Sequence, residues 1–553
     1  MKVNKGSCVP LIVICMSVAL FMTGGFFDNS VAVIGIVIIG CLLLMLIKGE
    51  NFYGRDKRIV FFIPTMVLCL AALVSFWAVD YMENFMGVMR IGVICLWMYL
   101  IRSRSREEIA SAKRMVPILG CITIAVSTIS LLMQQLKPAF WENSRMSGFF
   151  QYANTNGLFF AVGIMSLVYG IKEKKKALFD VAQIIILFVG LLLSGSRSVL
   201  LLLMLWGVWR AFKVAEFRKP FIISGSAFLV LGGLYVALTG NTTNIGRIFT
   251  IFTSNSTLWG RILYYRDAIL LLCTKFFGLG RLGYYYTQGT FQSGIYHIKF
   301  VHNDFLQVAL DYGVLALVLV LFFLGWQILH GKQSKADKEV LIFICVASLL
   351  DFHCQYLMIV MLMCLLLDYG ETVREKKSQV KENYVILPLF LAVFLYVAIA
   401  TGSNRAGNVG LTLSMLPDYT AAQEKVLLNS MGTVESYEMA AQLIEKNPYN
   451  LTAYIVRGSF LGSQLLVEEC IADLDKMLEL DPYNVEYYKQ YEIMLENIET
   501  AIPDMEKDEE DVTEKLDLIQ KRKAELPKQL AAMQERTSTL AYKIKDVPVF
   551  VYK

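Results

Sequence analysis

Long apolar runs recur along the first 400 positions, separated by short polar stretches. A helix needs about 20 apolar residues to cross a bilayer. The pattern predicts spans near 9–27, 30–47, 59–79, 86–101, 115–133, 156–171, 178–194, 197–213, 219–239 and 305–329. A longer stretch, 339–369, carries "LLDFHCQ" at its middle, so it is read as two short helices meeting at Asp351–Gln355. One more run follows near 385–401. The expectation is an all-α polytopic membrane protein of thirteen transmembrane helices. The first run lacks a small-residue cleavage site and a second run follows directly, so it is expected to be retained rather than removed as a signal peptide.

Charge orients this map. The stretches "KGENFYGRDKR", "RSRSREEIASAKR", "KEKKK", "RAFKVAEFRK", "GKQSKADK" and "ETVREKKSQVKEN" are rich in Lys and Arg, and they fall at every second connection. The alternate connections carry few basic residues, as the positive-inside rule requires of the outer side. A cytoplasmic N-terminus is expected, with the long 240–304 loop and everything after about residue 401 outside.

After Thr401 the apolar pattern collapses. "NPYN" at Asn447–Asn450 recurs as "DPYN" at Asp481–Asn484, a spacing of 34 residues, the period of a tetratricopeptide repeat. Tyr454, Gly458, Leu461, Cys470, Leu474, Met477 and Pro482 fall at the large, small and turn positions of that repeat. The expected division is a membrane domain, 1–401, and an extracytoplasmic tetratricopeptide-like helical domain, 402–553, that binds and positions a partner. A plain helical cap is the alternative. The charged stretch 504–540 reads as an exposed helical hairpin.

Composition agrees with the pattern. Of 553 residues, 56% are hydrophobic and 18% charged, against about 45–50% and about 25% in soluble proteins. The net charge of +5 is small, and Lys and Arg recur in short clusters between apolar runs, which is a topology signal rather than a nucleic-acid footprint. Most of the 11 cysteines sit inside apolar runs without a CxxC pair, as small hydrophobes would.

Polar residues at the expected outer ends are few, so each carries information. Arg197, in "SGSRS", starts a helix and suits an anionic group, unless it only snorkels to headgroups. Arg261 precedes an expected short amphipathic helix whose Leu263, Ile269 and Leu270 could lie along the membrane. Arg247 and Arg266 are alternatives, the latter expected to pair with Asp267 or face solvent. "GLGRLG" formally matches a dinucleotide fingerprint, but no βαβ unit surrounds it, so Gly278, Gly280 and Gly283 are read as a tight turn. Tyr284 and Tyr285 could stack on sugar faces or anchor the loop. Arg145 lies in an outer loop, and Asn154 and Asn156 open a span, where helix capping competes with substrate binding. His302 stands at a helix start that Asn303 or Asp304 can cap. It is either structural or a general base able to accept a hydroxyl proton. Asp351 and His353, at the outer hinge of the 339–369 pair, are candidates for binding substrate, with His353 also able to support His302 from behind.

In this order, "SGSRS", "GR", "GLG" with aromatics, "HNDFLQVALDYGVLAL" and "SLLDFHCQ" resemble the O-antigen ligase and polymerase family of membrane glycosyltransferases. The resemblance covers roughly 60–370; its most specific piece is His302 to Gly313. It implies a GT-C-like helical fold and metal-independent transfer of a polyprenyl-diphosphate-linked glycan to a glycan, lipid or protein acceptor, with no cofactor. His302 would take or position the acceptor hydroxyl, and Arg197 and Arg261 would bind the diphosphate. Two other classes compete: a flippase for the same lipid, disfavoured because the polar residues gather at one face rather than mid-membrane, and a non-catalytic scaffold presenting the tail.

Overall fold

The computed structural model describes residues 10–48, 53–55, 59–170, 177–219, 222, 225–226, 256–370, 372–374, 383–505 and 509–552. The helices in chain order are α1 (Leu11–Phe21), α2 (Asp28–Ile47), α3 (Ile59–Val74), α4 (Tyr81–Arg102), α5 (Arg106–Ser130), α6 (Lys137–Phe140), α7 (Ala153–Gly170), α8 (Ala177–Ser194), α9 (Arg197–Lys213), α10 (Ser256–Thr274), α11 (Gly283–Phe291), α12 (Asp304–Tyr312), α13 (Val314–His330), α14 (Lys335–Ser348), α15 (Leu357–Leu365) and α16 (Asn383–Arg405). The tail continues with α17 (Val409–Met415), α18 (Thr420–Asn429), α19 (Val434–Lys446), α20 (Leu451–Ser463), α21 (Val467–Leu480), α22 (Val485–Met505) and α23 (Glu509–Arg536). Among the described residues, strands are confined to two short antiparallel pairings, β1 (Tyr53–Arg55) with β4 (Thr372–Arg374) and β2 (Trp141–Glu142) with β3 (Arg145–Met146).

The chain is an all-helical membrane protein. Among the described residues, four helices are long and apolar enough to cross a bilayer: α2, α4, α5 and the Tyr384–Arg405 part of α16. Apolar helices of 10–17 residues accompany them, α1 and α13 among them. The apolar runs are thus cut more finely than hydropathy suggests. The run 9–27 stops at Phe21 and turns through Gly24 and Gly25, both at positive φ. The run 305–329 is broken at Gly313, whose φ is +88°. The 339–369 stretch divides as its polar centre predicts, into α14 and α15 with a 3-10 turn at His353–Gln355. The run 219–239 and Arg247 lie largely or wholly outside the described residues.

Two compact units form. The first comprises Met1–Met66, Met89–Ser254 and Leu319–Ala398. Its centre is α5, α7 and α8, where glycines bring backbones close: a Cβ on Gly120 would lie 2.5 Å from Leu187 and one on Gly190 2.4 Å from Ile124. Small residues at helix crossings serve this close packing where lipid removes the hydrophobic drive between helices. Away from the helix starts described below, Glu339 accepts hydrogen bonds from Tyr169 and from Trp206 Nε1 (3.0 Å), and Arg210 stacks over the Tyr169 ring at 3.9 Å.

The second unit comprises Val67–Val88, Asn255–Val318 and Ile399–Lys553. The large loop and the tail therefore share a core. Asp80 caps α4 by accepting from Glu83 N (2.9 Å), and its other oxygen accepts from Thr420 Oγ1 and Asn447 Nδ2 of the tail. The "GLG" segment forms a close crossing: Leu279 N donates to Leu310 O and Gly280 N to Asp311 O, at 2.8 and 2.9 Å. A Cβ on Gly278 would fall 2.6 Å from Gly313 N, so glycine is required on steric as well as on φ grounds.

In the tail, the two "PYN" turns are structurally equivalent. Tyr454 OH donates to Pro448 O (3.3 Å) and Tyr488 OH donates to Pro482 O (3.2 Å). Gly458 faces α21, where a Cβ would stand 3.2 Å from that of Asp473. Gly458→Val should destabilise the tail by about 1–3 kcal/mol through overpacking, read by thermal unfolding of the purified chain; an unchanged transition would contradict the close approach. The stretch 504–540 is not an exposed hairpin. Ile519, Leu526 and Leu530 of α23 are fully buried in one core with Tyr488, Tyr491 and Leu495 of α22. Of its charged residues, Arg522 also turns inward, its Nε donating to Tyr491 OH (3.3 Å) and its guanidinium pairing with Asp475.

Candidate functional site

The first unit assembles a polar cluster at the starts of α7 and α9. Asn143 and Ser144 both adopt positive φ (47° and 67°), the signature of a tight two-residue hairpin turn. That turn joins β2 to β3 and presents Arg145. Arg145 Nε donates to Ser194 O (2.8 Å) and its Nη2 to Asn154 Oδ1 (2.6 Å). Asn154 Nδ2 then donates to Asp351 Oδ2 (2.7 Å), while Tyr152 OH donates to Asp351 Oδ1 (2.9 Å). A buried carboxylate must be met by donors, and Asp351, fully buried, has them. The hinge at 351–355 is thereby tied to the hairpin and to the "SGSRS" turn.

Arg197 is the first residue of α9 and is half-buried. Its predecessor Ser196 makes no capping bond; it packs instead where a Cβ on Gly157 would stand 2.9 Å away. The Ser196 side chain thus does not cap the first turn of α9, which stands beside a guanidinium. That pairing is suited to an anion.

The asparagines do not cap α7, contrary to expectation. Asn154 bridges Arg145 to Asp351, and Asn156, fully buried, donates to Met146 O (3.1 Å) beneath the hairpin. His353 is 1% exposed, its Nδ1 3.0 Å from Thr155 Oγ1. Asn156 and His353 therefore hold the framework and present no surface to a ligand. Sequence reasoning passed over Arg90. It lies 92% shielded within α4 and donates to Gly25 O (3.1 Å), Phe26 O (2.6 Å) and Gln355 O (2.6 Å), tying the α1–α2 turn to the hinge. The signal was present: an arginine inside an apolar run is costly without such a task.

In the second unit, α10 organises the surroundings of His302. Asp267, buried, accepts from Ser293 N (2.8 Å), Ser293 Oγ (2.7 Å) and Tyr296 OH (2.9 Å), fixing the loop after α11. Arg266 lies 3.7 Å from the same carboxylate and is mostly solvent-facing. Tyr265 OH donates to the His302 carbonyl. On the other side of His302, Val301 N donates to Gln307 Oε1 (2.9 Å), and Gln307 Nε2 donates to Asp311 Oδ1 (2.8 Å). Asn303 caps α12, accepting from Phe305 N (3.1 Å) and Leu306 N (3.0 Å). The backbone at 301–303 is thus pinned at three points, while the His302 side chain is half-buried.

Arg261, also half-buried, sits one turn before Tyr264 on α10. Burial pushes the Tyr264 phenol up from its usual pKa, the Arg261 charge opposes this, and Asp546 adds to it. Of the residues expected to lie along a membrane, Ile269 and Leu270 are exposed, but Leu263 is fully buried against Tyr296 and Ala541. Tyr284 is also fully buried, among Ala268, Leu271, Leu279, Val301 and Leu310, so its ring is core rather than a stacking platform. Tyr285 is half-buried beside His297, ring centroids 5.0 Å apart. Among the described residues no three His, Cys, Asp or Glu side chains group as a metal site would require.

Residues 182–321 match the family model described as O-antigen ligase. No curated protein and no solved structure matches the chain.

Proposed function

We propose that this protein transfers a polyprenyl-diphosphate-linked glycan to an acceptor hydroxyl on the outer face of the cytoplasmic membrane, in the synthesis of a cell-surface polysaccharide. The observation that carries the reading is the extent of the O-antigen ligase match, 182–321, which contains Arg197, Arg261 and His302 together. The basic connections argue for a cytoplasmic N-terminus and an extracytoplasmic tail.

In the proposed reaction, the acceptor oxygen attacks the anomeric carbon while the bond from that carbon to the diphosphate oxygen breaks. His302 takes the hydroxyl proton. The polyprenyl diphosphate departs with its electron pair, and Arg197 and Arg261 stabilise the charge it gathers. A diphosphate is already a good leaving group, so placement and charge stabilisation suffice without a metal or cofactor. Low dielectric at a membrane edge strengthens the arginine–phosphate attraction. Arg145 and Tyr285 are candidates for touching the glycan, with Asp351 orienting Arg145 through Asn154. The tetratricopeptide-like tail would hold a glycan or protein partner.

The test is transfer by the purified protein in lipid nanodiscs, given a labelled polyprenyl-diphosphate glycan and glycan, lipid or protein acceptors. Wild type should form product and release polyprenyl diphosphate. Arg197→Ala and Arg261→Ala should each lower kcat by about 10²–10³-fold, the usual effect of losing one charge-stabilising donor. Full transfer by both variants would sink the mechanism. Movement of the lipid across vesicles without any transfer would establish a flippase instead.

A further inference from the structure

We propose that Tyr264 is a positioning residue for His302 and that the tail segment Ser538–Ile544 holds Tyr264 in place. The inference rests on the transfer reading above and gives the tail a part in the chemistry, beyond any partner it binds.

The Tyr264 ring stands 6.1 Å from the His302 imidazole, tilted by 31°, and 4.8 Å from the Tyr296 ring. It folds back along α10: a Cβ at Gly260 would lie 3.1 Å from the Tyr264 hydroxyl. The ring therefore lies along the turn that also carries Arg261. The His302 carbonyl is held by Tyr265, the preceding N–H by Gln307, and Asn303 caps the helix that follows, but these bonds do not set the angle of an imidazole. A ring wall beside it does, by restricting side-chain rotation.

The tail supplies the back of that wall. Ala541, fully buried, packs with Leu263 and Tyr296, joined by Leu540, Ile544, Ile298 and Tyr264. Three further contacts fasten the segment. Ser538 N donates to Ser293 O (2.9 Å), Lys543 Nζ lies 4.2 Å over the Trp259 ring, and a Cβ on Gly294 would stand 2.7 Å from that of Ala541. Upstream, Arg536 donates to Gly289 O (2.9 Å), and Gly289 meets Leu480 so closely that a Cβ would overlap the Leu480 carbonyl. The 289–298 stretch is thus seated on the tail, and Tyr264 packs between that stretch and the segment. Leu263, at first sight a membrane-facing residue, is explained by the same packing.

The test uses the full chain with Tyr264→Ala, Tyr264→Phe, Ala541→Asp, Ile544→Ala and His302→Ala, assayed with the labelled polyprenyl-diphosphate glycan. Tyr264→Ala should lower kcat by roughly 10–100-fold with the donor KM changed less than about threefold, since misplacement of a reacting group costs rate rather than binding. Tyr264→Phe, which keeps the ring, should restore kcat to within about threefold of wild type. Ala541→Asp should reproduce the Tyr264→Ala split. If that variant fails to fold, Ile544→Ala decides, with an expected loss of roughly threefold in kcat at unchanged KM. Wild-type kcat in folded Tyr264→Ala and Ile544→Ala, or a raised KM at constant kcat, overturns the inference. An inactive wild type, or an active His302→Ala, would overturn the transfer reading itself.

Discussion

Replacing His302 with alanine should lower glycan transfer by about 10²–10⁴-fold, the usual contribution of a general base, without unfolding the protein. Capping of α12 belongs to Asn303, the preceding N–H is held by Gln307, and the His302 carbonyl is held by Tyr265. None of these bonds uses the imidazole, which is half-buried and fills no core position. A second substitution separates two roles. Glutamine at 302 can orient an acceptor hydroxyl by hydrogen bonding but cannot carry its proton away. A base predicts that His302→Gln is as inactive as His302→Ala; a positioning role predicts substantial recovery. The measurement is kcat under saturating donor, with thermal unfolding as the control for fold. Wild-type turnover by His302→Ala would remove the histidine from the chemistry.

Where the sequence was legible, a single local signal was enough. Asn303 caps because a short acceptor side chain precedes an apolar helix start. The 339–369 stretch breaks because Asp351, His353 and Gln355 interrupt an apolar run. The close crossing at Gly278 and Gly313 follows from glycines that alone tolerate the required φ and approach. What was hidden depended on partners far along the chain. Leu263 looks membrane-facing until Ala541, 278 positions later, covers it. Tyr284 looks like a sugar platform until Val301 and Leu310 close over it. In α23 the apolar stripe Ile519, Leu526 and Leu530 was masked by the charge around it. The polar cluster at the starts of α7 and α9 shows the same limit. Arg145 and Asp351 are expected as separate loop and hinge residues, and Asn154, with capping and substrate binding both open to it, is the link between them.

Glu83→Ala should destabilise the second unit by about 3–5 kcal/mol, the cost of removing one member of a buried ion pair. Arg281 Nη1 lies 2.7 Å from Glu83 Oε2, and both side chains are only 7% exposed. Removing the carboxylate leaves a guanidinium in a place with little water to solvate it. Replacing both partners by Leu and Met avoids that charge, so the double variant Glu83→Leu/Arg281→Met should recover most of the loss. The pair also bears on the candidate site. Arg281 N donates to Asn84 Oδ1 (3.3 Å), and the neighbouring Gly280 N holds the end of α12 at Asp311 O. Since α12 begins beside His302, loosening this crossing in Glu83→Ala should also reduce transfer, and the double variant should restore stability and activity together. Chemical unfolding of the detergent-solubilised chain, followed with a transfer assay at the same temperature, checks both. Equal stability of the single and double variants would show that the buried charge is not what the pair controls.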